Sequence, residues 1–212
     1  MKTIITSLDN IHKFLPIEAK AIFVMPFIDY QEASKACKIF SVRANSTDGV
    51  LLAIHDIHRL GFINVANEIY NLTSSELFGY FASDAFPSRR WLEFSLASFS
   101  NNDIGLLSYN DGKWFGRLAG FGLVKRSWLT DYYTNSLFFS DYKSHYGDTE
   151  ISVLAHATNK LGYNANIVIM EVDYNKDTKS VNLNDKLIFQ KRMRELRNLR
   201  TWENPSAFLM FK

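Results

Sequence analysis

The 212-residue sequence predicts an α/β fold in a single domain, with a mixed, mostly parallel sheet flanked by helices. Three observations carry this expectation. The apolar runs at 21–25 and 49–54 lack polar alternation, as strands covered on both faces do. Each is followed by apolar residues at helical spacing, and the strand-then-helix unit recurs before residue 100, which calls for parallel strands joined by crossover helices. A content of 47% hydrophobic and 15% aromatic residues is enough to fill one core.

Taken in order, Ala21-Ile22-Phe23-Val24-Met25 predicts the first buried strand, and Pro26 is expected to stop its ladder. Ala33, Ala36, Cys37 and Phe40 mark a helix face. Residues 49–54 form the second strand, ending at His55-Asp56, and Phe62, Val65, Ala66 and Ile69 mark the next helix. Tyr80-Phe81-Ala82-Ser83-Asp84 reads as a short buried strand delivering an acid to its tip. Pro87 is then expected to open a helix that carries Leu92, Leu96 and Phe99. Strands follow at 104–109 and 119–124. A helix is marked by Ile151, Leu154, Ala155, Thr158 and Leu161, and a last strand at 166–172 ends at Asp173. Residues 187–200 repeat helical spacing at Phe189, Met193, Leu196 and Leu199 amid five basic residues. The expected division is one α/β domain over 1–186 and a basic amphipathic helix with an aromatic tail over 187–212, packed on the same domain.

Several classes fall away. A net charge of +2 does not call for a polyanionic partner, so the basic helix is read first as docked with a solvated face, and second as a surface for a membrane or nucleic acid. The lone Cys37 suits a reducing compartment. The opening residues lack a signal-peptide run and no stretch of about 18 apolar residues occurs, so a cytoplasmic protein without a transmembrane segment is expected. No glycine precedes Gly49, which excludes a glycine-rich dinucleotide loop, a P-loop and the signature loop of sugar nucleotidyltransferases from the first strand-to-helix turn.

The candidate site residues each admit two readings. Asp84 stands where α/β sheets bind ligands, at the carboxyl end of a strand, or it caps the helix that follows. Asp148 and Glu150 lie at a helix N-terminus, as caps or as working carboxylates. Asn110-Asp111-Gly112-Lys113-Trp114-Phe115-Gly116-Arg117 has the composition of a binding loop and also of a hairpin turn. His55 and His58 flank Asp56 without a third ligand nearby in sequence, so zinc is disfavoured. His145 lies in the loop just before Asp148, as a site residue or as an idle, solvated one.

These pieces, in this order, resemble the family 2-like glycosyltransferases with the GT-A fold, from about residue 21 to 173. Met25-Pro26 is similar to that family's first-strand turn, and Asp56 to the acid that meets the nucleobase. Residues 61–67, ending at Asn67, are similar to the helix before the metal motif. Phe81-Ala82-Ser83-Asp84 with Trp91-Leu92 resembles that motif, and Tyr146-Gly147-Asp148-Thr149-Glu150-Ile151 the segment that supplies the base. Three positions depart from the pattern: Ala82 replaces the first acid of the metal motif, Gly147 stands where an acid often precedes the base, and Asp173 occupies the place of a metal-binding histidine.

The resemblance implies transfer of a sugar from a nucleotide-diphosphate donor to an acceptor hydroxyl, with inversion. Asp148 is then the base, with Glu150 as helper or cap. Pro26, Asp56, Asn67, Asp84, Lys113 and Arg117 face the donor, and Asp84 and Asp173 hold a divalent cation, Mn2+ or Mg2+. The acceptor is a glycan, a lipid-linked sugar, a protein or a modified nucleic acid, and a homodimer is compatible with the aromatic tail. The other reading is a catalytically silent nucleotide-sugar-binding module, motivated by Ala82.

Overall fold

The computed structural model describes residues 1–101, 103–172 and 182–211. The chain opens on β1 (Lys2–Ser7) and a 3-10 turn (Leu8–Phe14). It continues through β2 (Ala21–Phe27), α1 (Tyr30–Arg43), β3 (Gly49–His55), α2 (Phe62–Leu72), β4 (Leu77–Tyr80), β5 (Ala85–Pro87) and α3 (Trp91–Asn101). The second half holds β6 (Leu106–Asn110), β7 (Gly122–Lys125), α4 (Arg126–Leu129), α5 (Gly147–Ala157), β8 (Leu161–Glu171), α6 (Leu183–Leu199) and a closing 3-10 turn (Pro205–Leu209).

Among the described residues the strands form one sheet in the order β1-β3-β2-β4-β7-β6-β8-β5. β1/β3, β2/β3, β2/β4 and β6/β8 are parallel, whereas β7 runs antiparallel to β4 and β6, and β5 antiparallel to β8. Residues 21–25 of β2 have no solvent exposure because alternate side chains enter different layers. Ile22 and Val24 join a core with Ile63 and Ile69 of α2, Ile151 and Leu154 of α5, and Phe189, Met193 and Leu196 of α6. Phe23, Met25 and Phe27 join a second core with Ala36 and Phe40 of α1 and Trp91 of α3. The sheet is thus covered on both sides, as its near-continuous apolar strands require.

Five details correct the reading of the sequence. β1 was not expected: it is an edge strand paired only with β3, and only Ile4 and Ser7 of its six residues are buried, so it carries no apolar run. Pro26 does not stop β2, which stays in register with β3 through Pro26↔Ile54 and Phe27↔His55. Val24 accepts from Phe81 N–H at 3.0 Å on the β4 side. Alternate residues point the same way, so the N–H that Pro26 lacks falls where β4 has already ended. Pro87 ends the short strand β5 instead of opening α3, and Leu199 is 71% exposed, outside the buried face of α6. The 110–117 segment does lie between antiparallel neighbours, β6 and β7, but the connection runs from 111 to 121, far longer than a tight hairpin turn.

The order of strands locates the site. β2 to β3 steps one way along the sheet, and β3 to β4 crosses back to the other side of β2, with α1 and α2 on opposite faces. The carboxyl ends of β2 and β4 therefore border the crevice where open α/β sheets hold ligands.

Candidate active site

Asp84 lies beyond β4 at this crevice, only 6% exposed. The approach to it is rigid. Phe81 stacks on Phe23 with ring centres 5.2 Å apart and meets Trp91 edge-on at 5.5 Å, and the Trp91 indole N–H donates to the Phe40 carbonyl at 3.0 Å. The Asp84 carbonyl accepts from Val172 N–H at 3.2 Å, tying the turn to the end of β8. The Ser83 hydroxyl donates to the Glu32 carboxylate, and Glu32 N–H is in turn held by Asp29, the cap of α1, at 2.9 Å. Asp84 is not a helix cap, since β5 separates it from α3. Asp173 lies outside the described residues.

Asp148 comes from the other half of the chain. Tyr146 precedes α5 in the left-handed region at φ 70°, a strained conformation for a bulky residue and one found at functional sites. Gly147 then opens the helix. A Cβ there would lie 2.9 Å from the Phe138 ring, so any other residue at this position, an acid included, would force that ring to shift. Asp148 Oδ1 accepts from Thr149 N–H at 2.7 Å and from the Thr149 hydroxyl at 3.3 Å, and the residue is half-buried. Burial pushes its carboxyl above the usual aspartate value, against the opposing pull of the Thr149 bonds and of His145. The start of α5 reaches the side chain of Tyr80, the last residue of β4, through Phe138, whose ring meets the Tyr80 ring edge-on at 5.1 Å and lies against Gly147. Burial first, and then the Asp148 charge, push the Tyr80 phenol well up. The same phenol donates to the Ala119 carbonyl at 2.5 Å. The carboxyl end of β4 therefore meets the start of α5 through Phe138 and continues directly into the turn of Asp84.

Glu150 is neither a cap nor a group open to a ligand. It has no solvent exposure, accepts from the Tyr133 and Tyr142 hydroxyls at 2.7 Å each, and pairs with Arg192 of α6 at 2.5 Å. Arg192 also lies 3.6 Å from the centre of the Phe139 ring. These contacts fill the carboxylate's accepting positions with protein groups. Arg192 could not be singled out in sequence because it is one of many basic residues in α6.

On the donor side, both carboxylate oxygens of Asp56 are bound to backbone, accepting from Leu60 and Gly61 N–H at 2.8 Å. Asn67 forms a reciprocal pair with Phe138, donating to its carbonyl at 3.0 Å and accepting from its N–H at 2.8 Å. In this structure both residues shape loops at the crevice rim. Beyond the carboxyl ends of β1, β2 and β3 opens a cleft of about 460 Å³ lined by Phe14, Phe27, Tyr30, His55 and Ile57 with Lys13 and Ser7. His55 stacks flat on Phe27 at 5.1 Å, and Tyr30 is 60% exposed at its mouth. Its aromatic walls escape a sequence reading because they come from the ends of elements far apart in the chain, the first 3-10 turn, β2 with α1, and β3. His58 instead pairs with Asp9 at 3.1 Å, so the two histidines do not converge.

Lys113 pairs with Glu171 at 3.2 Å near the end of β8, on the Asp84 side. Asp111 shapes that turn, its Oδ1 accepting from Lys113 and Trp114 N–H at 2.9 Å. Arg117 sits elsewhere: its carbonyl accepts from His156 in the last turn of α5. Eight residues along a helix place that turn roughly 12 Å from Asp148. Arg117 is exposed there and is not gathered with the two aspartates.

Comparison with solved structures identifies the architecture. The chain superposes on a mannosyltransferase from Pyrobaculum calidifontis, PcManGT, in complex with GDP-Man and Mn2+, at a TM-score of 0.54 and 12% identity over 86% of this chain and 63% of that one. It superposes on S. aureus TarS 1-349 in complex with UDP-GlcNAc at a TM-score of 0.65 and 11% identity, covering 84% of this chain and 67% of that one. The fold is of the GT-A glycosyltransferase type. A longer TarS structure is matched over 40% of its length, so this GT-A chain spans about two thirds or less of the proteins it resembles. No family model and no curated protein sequence matches it. No helix among the described residues is long and apolar enough to cross a membrane.

Proposed function

We propose that the protein is a glycosyltransferase that moves a sugar from a nucleotide-diphosphate donor to an acceptor hydroxyl, with inversion. The observation that carries this reading is that, in a GT-A fold, the chain leaves the carboxyl end of β4 into the turn of Asp84, while Tyr80 at that end meets Phe138, the ring against which Gly147 before Asp148 packs. Structural neighbours in complex with GDP-Man and with UDP-GlcNAc support the donor class. The aromatic cleft of Phe27, Tyr30 and His55 suits a stacked nucleobase.

In this reading the acceptor oxygen forms a bond to the anomeric carbon as the bond to the diphosphate breaks with its electron pair. Asp148 takes the hydroxyl proton. Burial makes it a stronger base than a solvated aspartate, and general-base help of this kind is worth roughly 10²–10⁴-fold. Glu150, saturated by Arg192 and two tyrosines, has no part in proton transfer. Lys113, paired with Glu171 at 3.2 Å near the Asp84 turn, would face the leaving diphosphate.

The donor set at Asp84 fits a hard cation of the Mg2+ or Mn2+ type, which commonly takes one or two carboxylates and completes its shell with substrate phosphates. Asp84, together with Asp173 outside the described residues, would hold it, and the bound cation would neutralise the leaving group. Among the described residues no cluster of three or more His, Cys, Asp or Glu occurs, at Asp84 or elsewhere, so substrate phosphates would have to supply much of the shell.

The second reading, a nucleotide-sugar-binding module without turnover, is favoured by the single described carboxylate at the motif where Ala82 stands. Hydrolysis and transfer assays over a panel of nucleotide sugars, with Mn2+ or Mg2+ and candidate glycan acceptors, separate the two. Turnover supports the transferase, and binding with no turnover across the panel supports the module.

A further inference from the structure

Asp185, in the first turn of α6, has no solvent exposure and its carboxylate is spent entirely on one stretch of backbone. Oδ1 accepts from Lys143 N–H at 3.1 Å, and Oδ2 accepts from Ser144 and His145 N–H at 2.9 Å each. Three successive N–H groups aimed at one carboxylate hold a loop as a helix N-terminus holds an anion, and hydrogen bonds to an ionised group are about twice as strong as neutral ones. This loop runs straight into the strained Tyr146, Gly147 and Asp148. Tyr146 itself stacks on Phe189 of α6 at 4.8 Å.

We infer that Asp185 is a positioning residue for Asp148: α6 is a working part of the active site, clamping residues 143–145 so that the first turn of α5 presents its carboxylate at the carboxyl end of β4. The left-handed backbone at Tyr146 is a conformation that persists only where its surroundings over-determine it, and the clamp on one side with Gly147 against Phe138 on the other supplies that constraint. The inference rests on the transferase reading for its kinetic consequence alone.

The test compares Asp185→Asn with Met193→Ala. Met193→Ala trims the core about two helical turns beyond Asp185 and leaves the three backbone bonds to residues 143–145 in place, whereas Asp185→Asn changes those bonds directly. Asn keeps the shape of Asp185 while turning an N–H donor toward the backbone N–H groups of the clamp. At a temperature where both variants are folded, Asp185→Asn is expected to lower the transfer rate at saturating donor by at least about tenfold, since misplacement of a catalytic group by about 1 Å costs on the order of 10²-fold. Nucleoside-diphosphate affinity should stay at the wild-type value, and Met193→Ala should keep the wild-type rate. Amide hydrogen exchange of Lys143, Ser144 and His145 is read in parallel and should quicken in Asp185→Asn only. Unchanged exchange of those three amides, or equal loss of rate in both variants, overturns the inference. A wild type that binds donor but never transfers overturns the transferase reading instead, and the exchange measurement still decides whether Asp185 holds the loop.

Discussion

Glu150 and Arg192 meet at 2.5 Å and join α5 to α6 at a point where the carboxylate has no contact with solvent. Such a pair gains little over an apolar substitute, but losing one partner leaves a charge stranded, at a cost of about 3–5 kcal/mol. Arg192→Met is therefore expected to destabilise the fold by that order in urea titrations, and Glu150→Gln by a similar amount. The double variant should recover a good part of the loss. Additive losses in the cycle would show that the two side chains do not depend on each other.

Asp56→Ala is expected to weaken the fold as well as any nucleotide site, because it strands the N–H groups of Leu60 and Gly61. Two lost hydrogen bonds to a charged group come to a few kcal/mol, about 1.5–3 each. Tyr30→Ala separates the two effects. Its ring is 60% exposed, so folding should be unchanged, while loss of base stacking should weaken nucleoside-diphosphate binding by about 1–3 kcal/mol in calorimetry. Wild-type affinity in Tyr30→Ala would remove the aromatic cleft from the donor site.

The sheet's central strands were legible because burial on both faces writes itself as unbroken apolar runs, and helices α1, α2 and α6 because one buried face writes itself at helical spacing. β1 was not, since a strand paired on one edge buries too little to leave a pattern. The strand and helix order showed an acid after a strand at Asp84 and an acid at a helix N-terminus at Asp148, each readable as a cap, and only the family resemblance singled the two out. What the sequence could not reveal was which carboxylates are already occupied. Glu150 and Asp185 differ from Asp148 in partners that tertiary folding brings from 40–42 residues away, and Asp56 in a local turn whose N–H groups close on both its oxygens.

Cation dependence tests Asp84. Nucleoside-diphosphate binding should tighten when Mn2+ or Mg2+ is added, because phosphate oxygens and the Asp84 carboxylate complete one coordination shell. Asp84→Asn should abolish that tightening and leave metal-free binding nearly as it was. If the wild type binds equally well in EDTA, charge neutralisation falls to Lys113, and Lys113→Ala should then weaken binding where Asp84→Asn does not.

Asp148→Asn separates chemistry from stability, and the sign of its stability effect follows from burial. The carboxyl is raised above its ordinary value of 3.8, so the native state holds this proton more tightly than the unfolded chain does. Stability therefore falls as pH rises from about 3.8 through the raised value, and above it the ionised carboxylate carries a constant cost. Asparagine keeps the oxygen that accepts from Thr149 N–H and is never charged, so the variant is expected to melt at or above the wild-type temperature at pH 7. The gap should close below about pH 3.8, where the wild-type side chain is neutral in both states. Transfer should slow by at least about a hundredfold, the lower end of what a general base supplies, with donor affinity unchanged. A variant less stable than wild type at pH 7 would mean that the ionised carboxylate supports the helix, and a wild-type transfer rate would place the base on another residue, with His145, three residues earlier and within the field of Asp148, first to be tested.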